Sequence, residues 1–353
     1  MDKMPYVKLG NSGLKVSRLG FGNWANKAQN TREEFHALIK ACFDGGINFF
    51  DTAELYDVGE AEVELGIALR ALNVPREDYV VVTKLYWGKQ PKNVNIQNVM
   101  GTSRKHIIEG LNRSLKHLGM EYVDVLFCHR FDHTTPVEEL CAAMKTVIEN
   151  GKCLYWGTSE WPASRIMEAI HICDKIGAPR PIAEQAHYNM LVRQKMESDY
   201  TVLFDDYKYG TTTYSALAAG VLTGKYNKGI PAGSRFDLHP DVLWWLKMYL
   251  DDEHKDETVK KLNLLDEVAK SIGATLPQLA LAFVLTNQDV DVCILGATKL
   301  EQLKQNLQIW EVVAKFDKTV NDKVNAILKN APDAGFDFIT WNPMTPRRAI
   351  HFK

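Results

Sequence analysis

Short apolar runs alternate along the chain with longer stretches whose apolar residues recur at helical spacing. Most of the short runs are apolar throughout, as parallel strands buried on both faces are, so we predict eight strands. These are Leu19–Gly22, Ile47–Asp51, Tyr79–Lys84, Val123–Cys128, Cys153–Thr158, Ile182–Gln185, Thr211–Tyr214 and Val290–Leu295.

Amphipathic segments that separate these runs are predicted to be helices. They include Thr31–Asp44, Ser103–His117, Val137–Glu149, Ser164–Ile176 and Glu301–Ala314. Thr31 stands three residues before Glu34, the spacing of a capping box at a helix start. Strands that are each followed by helical sequence favour the α/β class and a closed (β/α)8 TIM barrel over an open sheet, with the barrel at about residues 18–328.

Segments outside the strands and helices complete a single predicted domain that covers residues 1–353. Tyr6–Val16 contains an Asn-Ser-Gly turn and predicts a β-hairpin that covers the barrel floor. Trp87–Thr102 and Gly220–Glu257 are expected to be long loops at the C-terminal face, where active sites of such barrels lie. The tail at 333–353 has no clear periodicity.

Composition narrows the functional classes. The chain has 353 residues, of which 42 are Lys or Arg and 44 are Asp or Glu, so its charge of −2 offers no general attraction for nucleic acid. Its longest apolar run, Leu279–Leu285, is far below the ~20 residues that span a bilayer, and no signal peptide is recognisable. Six scattered cysteines lack metal-ligand spacing and predict reduced core thiols rather than a disulfide framework. We therefore expect a cytoplasmic protein without a metal site.

One motif is typical of a different fold, the open sheet that binds dinucleotides. Gly20 to Ala25 fits the G-x-G-x-x-A fingerprint of dinucleotide-binding open sheets. That fingerprint requires a helix to begin inside the motif, whereas the first helix here is predicted to begin at Thr31. The Rossmann alternative is therefore disfavoured.

Four residues at the ends of consecutive predicted strands carry candidate chemistry: Asp51, Tyr56, Lys84 and His129. Each has an ordinary explanation, since an Asp often caps a helix, a Tyr packs and a lone His is often structural. Together they place a carboxylate, a phenol, an ammonium and an imidazole on one barrel face. A Lys beside a Tyr is expected to lower the phenol pKa, as a general acid working near neutral pH requires.

These residues and the segments around them resemble the aldo-keto reductases. The run from Gly46 to Tyr56 is similar to that family's strand-two signature, and Lys84 and His129 match its other catalytic positions. The resemblance extends over about Val7 to Leu328 and is strongest to the branch that contains the β-subunits of Shaker-type potassium channels. Diagnostic stretches are 103–110, 121–125, 155–161 and 276–280.

The resemblance implies NADP(H) lying across the C-terminal face. Its nicotinamide end would contact Gly22, Asn23, Trp24, Asp51, Ser159, Gln185 and Tyr214, with Tyr214 stacked on the ring. The pyrophosphate would follow Ser215, Ala216, Leu217, Ala218 and Gly220. The adenosine and 2′-phosphate end would meet Lys225, Ser234, Arg235, Gly296, Thr298, Gln302, Gln305 and Asn306, any of which could alternatively be solvated loop residues. Family relatives often carry Trp in place of Tyr214 and Thr in place of Asn23.

The resemblance also implies the reaction. Aldehydes or ketones would be reduced by hydride transfer, with Tyr56 as the proton donor, Lys84 acting on Tyr56 and Asp51 paired with Lys84. His129 would orient the carbonyl in a pocket that also contains Trp24 and Trp87. The alternative is an NADP(H)-binding, redox-sensing β-subunit of a potassium channel. Two features favour an enzyme: His129 replaces the Asn of mammalian channel subunits, and only about five residues precede the hairpin, where those subunits carry an inactivation segment. The expected partners are a small carbonyl substrate, further copies of the chain in a tetramer and possibly a membrane channel, but no nucleic acid.

Overall fold

A computed structural model describes residues 4–24, 30–88, 97–238, 240–251 and 253–352, without the side chains of Arg235 and Asp241. Its strands are β1 Tyr6–Lys8, β2 Lys15–Ser17, β3 Leu19–Gly22, β4 Phe49–Asp51, β5 Val80–Leu85, β6 Val123–Cys128, β7 Cys153–Ser159, β8 Ala183–His187, β9 Gly210–Tyr214, β10 Val292–Leu295, β11 Phe336–Asp337 and β12 Asn342–Pro343. Its α-helices are α1 Arg32–Asp44, α2 Glu60–Ala71, α3 Arg104–Leu118, α4 Val137–Glu149, α5 Ala163–Ile176, α6 Thr201–Tyr207, α7 Arg235–Leu238, α8 Leu243–Leu250, α9 Lys255–Ser271, α10 Leu276–Leu285, α11 Leu300–Leu307, α12 Trp310–Lys315, α13 Lys318–Leu328 and α14 Arg347–Ile350.

Strands β3 to β10 form a closed barrel in which every strand pairs in parallel with its neighbours. The circle closes where Cys293–Leu295 of β10 pairs with Leu19–Phe21 of β3. Helices surround the sheet, as apolar parallel strands require. The predicted (β/α)8 TIM barrel is therefore confirmed.

Apolar side chains fill two layers on either side of the strands. The interior cluster contains alternate strand residues, such as Phe49 and Val82, whereas Phe50 and Val81 belong to the larger layer between strands and helices. Leu9 and Val16 of the N-terminal hairpin are fully buried in the interior cluster. The hairpin that the sequence predicted is therefore present and closes the barrel floor.

Most predicted elements agree with the structure to within two residues, but three segments differ. The predicted helix Glu301–Ala314 is divided into α11 and α12. The segment predicted as the loop Gly220–Glu257 contains the eight-residue helix α8. The tail, for which no periodicity was found, forms the short antiparallel pair β11–β12 and the helix α14. Part of the loop predicted at Trp87–Thr102, residues 89–96, lies outside the described residues.

Candidate active site

Strand alternation brings the candidate catalytic side chains to one place. Asp51 is two residues after Phe49 in β4, and Lys84 is two residues after Val82 in β5, so each side chain points to the same side as an interior residue. His129 follows Phe127 of β6 in the same way. The interior is thus apolar along its length and carries its polar groups at the C-terminal end.

Lys84 is the centre of this polar group and is completely buried. Its ammonium donates hydrogen bonds to Asp51 Oδ2 (2.6 Å), the Thr52 carbonyl oxygen (2.8 Å) and the Tyr56 hydroxyl oxygen (3.2 Å). These bonds use all three ammonium protons. Because the Tyr56 oxygen accepts from Lys84, the phenol keeps its own proton for another acceptor. Gln185 Nε2 donates to the second oxygen of Asp51 at 2.9 Å.

The protonation states follow from burial and from these contacts. Burial alone would lower the pKa of Lys84, but Asp51 and Tyr56 outweigh it and the pKa is raised, so the ammonium stays charged. Burial raises the pKa of Tyr56, and the neighbouring Lys84 offsets only part of that rise. Lys84 therefore lowers the pKa of Tyr56 as expected, but it does not bring it below the ordinary value, because removal of the phenol from water outweighs the nearby positive charge.

His129 borders Tyr56, with ring centroids 6.0 Å apart and ring planes at 76°. Burial, together with Lys84 and Arg130, holds the pKa of His129 well below its usual range, so its imidazole is neutral. Its Nδ1 is buried and has no hydrogen-bond partner among the described residues. A neutral ring beside a phenol can orient a polar ligand without adding charge.

Strained backbone surrounds the mouth of the barrel in two places. Asp57 and Val58, directly after Tyr56, have left-handed φ angles of 48° and 57°. The predicted pyrophosphate segment contains three more such residues, Ser215, Ala218 and Ala219, followed by Gly220 at φ 101°. Non-glycine residues rarely adopt this conformation, and it is concentrated at ligand sites. Ala216 and Leu217 lie within the same turn, which supports a binding role for it.

The predicted nicotinamide-end residues meet around Asp51. Gly22 and Asp51 are partners in the register of β3 and β4, and Asn23 N donates to the Asp51 carbonyl oxygen at 3.2 Å. Asn23 Oδ1 is buried without a partner among the described residues. Ser159 and Gln185 are register partners in β7 and β8, and Ser159 Oγ donates to the Gln185 carbonyl oxygen at 3.0 Å. Amide and hydroxyl groups placed together in this way suit a carboxamide ligand.

Tyr214, the residue expected to stack on the nicotinamide, already has an aromatic neighbour. Its ring lies 5.0 Å from that of His187, with ring planes at 16°. One face of Tyr214 is therefore supported from within the protein. Burial lowers the pKa of His187 to about 4, so this supporting ring is also neutral.

The residues predicted for the adenosine end lie on two segments that leave neighbouring strands. Lys225 and Ser234 follow β9, and Gly296 and Thr298 follow β10, which pairs with β9. Gln302, Gln305 and Asn306 belong to α11, where Thr298 N donates to Gln302 Oε1 at 3.4 Å. Arg235 begins α7, but its side chain lies outside the described part of the structure, so its phosphate contact stays a prediction.

Some residues at the site were not assigned from the sequence. Glu54 accepts hydrogen bonds from the backbone N–H groups of Tyr86 and Gly88, both at 2.8 Å, and also contacts His106 and Arg113 at 3.0 Å. Those two amides flank Trp87, so Glu54 positions a predicted pocket residue. Glu54 occurs within the signature around Tyr56, but no spacing rule indicates which amides it binds.

Two further residues, Trp245 and Tyr249 of α8, lie at the mouth of the barrel. The ring of Trp245 lies 5.0 Å from that of Trp24. The hydroxyl oxygen of Tyr249 lies 2.7 Å from His187 Nε2. These contacts join segments that are distant in the sequence, so no local pattern predicts them.

With this geometry in place, comparison with known proteins defines the class. Residues 18–339 match the Aldo/keto reductase family, and the chain belongs to that family, whose members are oxidoreductases. A protein of Oryza sativa subsp. japonica described as a probable voltage-gated potassium channel subunit beta is 46% identical over 331 residues, which are 93% of this chain and 98% of that protein.

Two further relatives bear similar names. A probable voltage-gated potassium channel subunit beta of Arabidopsis thaliana is 43% identical, with the same shares of each chain covered (93% and 98%). A putative subunit of the same kind from Schizosaccharomyces pombe is 41% identical, over 93% of this chain and 94% of that protein. The resemblance proposed from the sequence is confirmed.

Among the described residues, no single helix has the length and apolarity to cross a membrane; only the bent pair of α9 and α10 meets those two criteria jointly.

Proposed function

We propose that the protein reduces aldehydes or ketones to alcohols with NADPH, and that Tyr56 donates the proton. The observation that carries the proposal is the bond from Lys84 to the Tyr56 oxygen (3.2 Å), which leaves the phenol proton free for a substrate. When bound, the nicotinamide would supply a hydride to the carbonyl carbon. A proton from Tyr56 would satisfy the oxygen, and the remaining phenolate would be stabilised by the charged Lys84.

The other residues would bind and orient. His129 would hold the carbonyl oxygen towards Tyr56, and Trp24 and Trp87 would provide apolar walls. Asp51 would keep Lys84 charged and in place, since their nitrogen and oxygen atoms lie only 2.6 Å apart in a buried pair. The orphan Asn23 Oδ1 and the strained turn at Ser215–Gly220 support a dinucleotide across this face.

Spectrophotometry tests the proposal directly. Purified protein should oxidise NADPH, followed at 340 nm, when aliphatic and aromatic aldehydes are supplied. An absence of oxidation across a broad panel of aldehydes and ketones, in protein that binds NADPH, would disprove the reductase proposal. Ketones are expected to react more slowly because their carbonyl carbon is less accessible.

The names of the relatives favour a second candidate function, a β-subunit of a potassium channel. In that role we propose that the chain binds NADP(H), senses redox state and turns over slowly. Single-turnover kinetics separates the two: hydride transfer or cofactor release that takes minutes would favour sensing, whereas completion within seconds would favour an enzyme. The tetramer, a channel partner and the cytoplasmic location stay predictions, and analytical ultracentrifugation tests the first.

A further inference from the structure

Helix α8 contributes an aromatic surface that the sequence did not assign to the site. Trp245 lies with its ring centroid 5.0 Å from Trp24, 6.3 Å from His187 and 6.4 Å from Tyr214. The two ring planes of Trp245 and Trp24 are inclined at 55°. Trp245 thus joins the residue predicted to line the substrate pocket to the residue predicted to stack on the nicotinamide.

The position of α8 is set by other residues of the helix. Leu246 and Tyr249 are buried in the main core, and the Tyr249 hydroxyl lies 2.7 Å from His187 Nε2. Since the His187 ring is neutral, this nitrogen can accept a hydrogen bond from the Tyr249 hydroxyl group. His187 in turn stacks on Tyr214. The helix is therefore held by its own apolar side and by the hydrogen bond between Tyr249 and His187 at the mouth of the barrel.

Trp245 also packs against the main core, but unlike Leu246 and Tyr249 it is only partly buried. Beyond the core, its ring contacts the rings at the barrel mouth and the exposed Trp244, whose centroid is 6.1 Å away. An indole left partly open beside a predicted pocket residue has surface available for a flat ligand. Aromatic rings prefer inclined or offset contacts with other rings at centroid distances of about 4.5–7 Å.

We propose that Trp245 forms, with Trp24, the outer wall of the substrate pocket and selects aromatic carbonyl compounds over small aliphatic ones. This inference rests on the proposed reductase function and names its substrate class. An aryl group would lie between the indoles while its carbonyl points to Tyr56 and His129. A short aliphatic aldehyde would reach the same two groups without touching the wall.

The experiment compares 2-naphthaldehyde with propanal in the wild-type protein and in Trp245→Ala. The ratio of the two kcat/KM values should fall by about three- to tenfold in the variant, the size expected for one ring–ring contact. Trp245→Phe keeps a smaller ring and should retain most of the ratio. Met248→Ala, on the same helix and 56% exposed, is the control and should leave the ratio unchanged.

Calorimetric binding of 2-naphthaldehyde to the protein saturated with NADP+ gives a readout that needs no turnover. Binding to Trp245→Ala should be weaker by the same factor, with the affinity for NADPH unchanged. If the wild-type protein reduces aldehydes but neither the kcat/KM ratio nor the binding changes in Trp245→Ala, the proposed wall of Trp24 and Trp245 is disproved and the reductase proposal is unaffected. If the wild-type protein reduces neither compound but Trp245→Ala still weakens the binding of 2-naphthaldehyde, the wall is supported and the reductase proposal is disproved. A loss confined to NADPH affinity would place Trp245 against the cofactor and overturn the inference.

Discussion

The two ends of the proposed cofactor groove are built differently. At the proposed nicotinamide end, Lys84 and Asp51 are buried and joined by a hydrogen bond of 2.6 Å. At the adenosine end, Gln302 and Gln305 are exposed side chains on the eight-residue helix α11. From this difference we expect the proposed chemical step to depend on groups that the fold fixes in advance, and the proposed choice of cofactor to depend on groups that solvent can reach.

The largest expected effect tests the preformed end. Tyr56→Phe removes the proton donor but keeps the ring, so kcat should fall by about 10²–10⁴, the range for loss of a general acid. The affinity for NADPH, measured by quenching of tryptophan fluorescence, should stay within about twofold. Equal activity in the variant and the wild-type protein would mean that another group donates the proton.

A smaller effect, on stability, tests whether Lys84 and Asp51 form a buried pair in solution. Lys84→Met leaves Asp51 without its partner and should lower the free energy of unfolding by about 3–5 kcal/mol, as well as lowering activity. Lys318→Met is the control, because Lys318 pairs with Asp322 on the surface with side-chain exposures of 66% and 56%. That variant should change stability by no more than about 1 kcal/mol in urea unfolding. Similar decreases in the free energy of unfolding of Lys84→Met and Lys318→Met would contradict a buried pair of Lys84 and Asp51.

Cofactor choice tests the solvent-accessible end. Arg235→Leu should weaken NADPH binding by about one to two decades and leave NADH binding nearly unchanged, since only NADPH carries the 2′-phosphate that a guanidinium can pair with. Titration of both cofactors into both proteins gives the four dissociation constants. An equal loss for the two cofactors would assign Arg235 to structural support, and tighter binding of NADH than NADPH by the wild-type protein would overturn the assignment of this whole end.

The smallest expected effect is a flat pH profile. The pKa of Tyr56 lies above its ordinary 10.0 and that of His129 well below 6.5, so neither group changes protonation between about pH 6.5 and pH 9. The kcat/KM for an aldehyde should be nearly constant over that interval and should decline above it as Tyr56 loses its proton. A step near pH 7.5 would mean that the bound cofactor shifts one of these groups.

Stability should respond to acid for the same reason. Below about pH 6.5 the unfolded chain binds a proton at His129 that the native protein does not, so this group makes the native state less stable as the pH falls. The denaturation midpoint of His129→Asn should depend less on pH between 5 and 7 than that of the wild-type protein.

Agreement between sequence and structure is closest where local pattern decides the outcome. Val123–Cys128 and Val137–Glu149 have the predicted bounds because each is a continuous apolar or amphipathic segment. Glu301–Ala314 was predicted as one helix but is broken between α11 and α12; in a continuous helix the buried Leu303 and Ile309, six residues apart, would lie about 120° apart around the axis. The break allows both side chains to face the core.

Long-range properties of the site were not accessible from sequence. The raised pKa of Tyr56 depends on the balance between burial and one ammonium, and spacing reveals only the ammonium. The contact between Trp24 and Trp245 joins residues separated by most of the barrel sequence. Family signatures located the candidate tetrad because its members follow individual strands, whereas the contribution of α8 depends on how a connecting segment folds back over them.

Closure of the barrel between β3 and β10 has a consequence for synthesis of the chain. Leu19–Phe21 belongs to the first barrel strand that leaves the ribosome, and its partner Cys293–Leu295 belongs to the last. Until then the nascent sheet has two unpaired edges, whose free N–H and C=O groups can capture strands of other molecules. We expect the emerging chain to need chaperone protection until Val292–Leu295 is free to pair, and to resist such capture once the circle is complete.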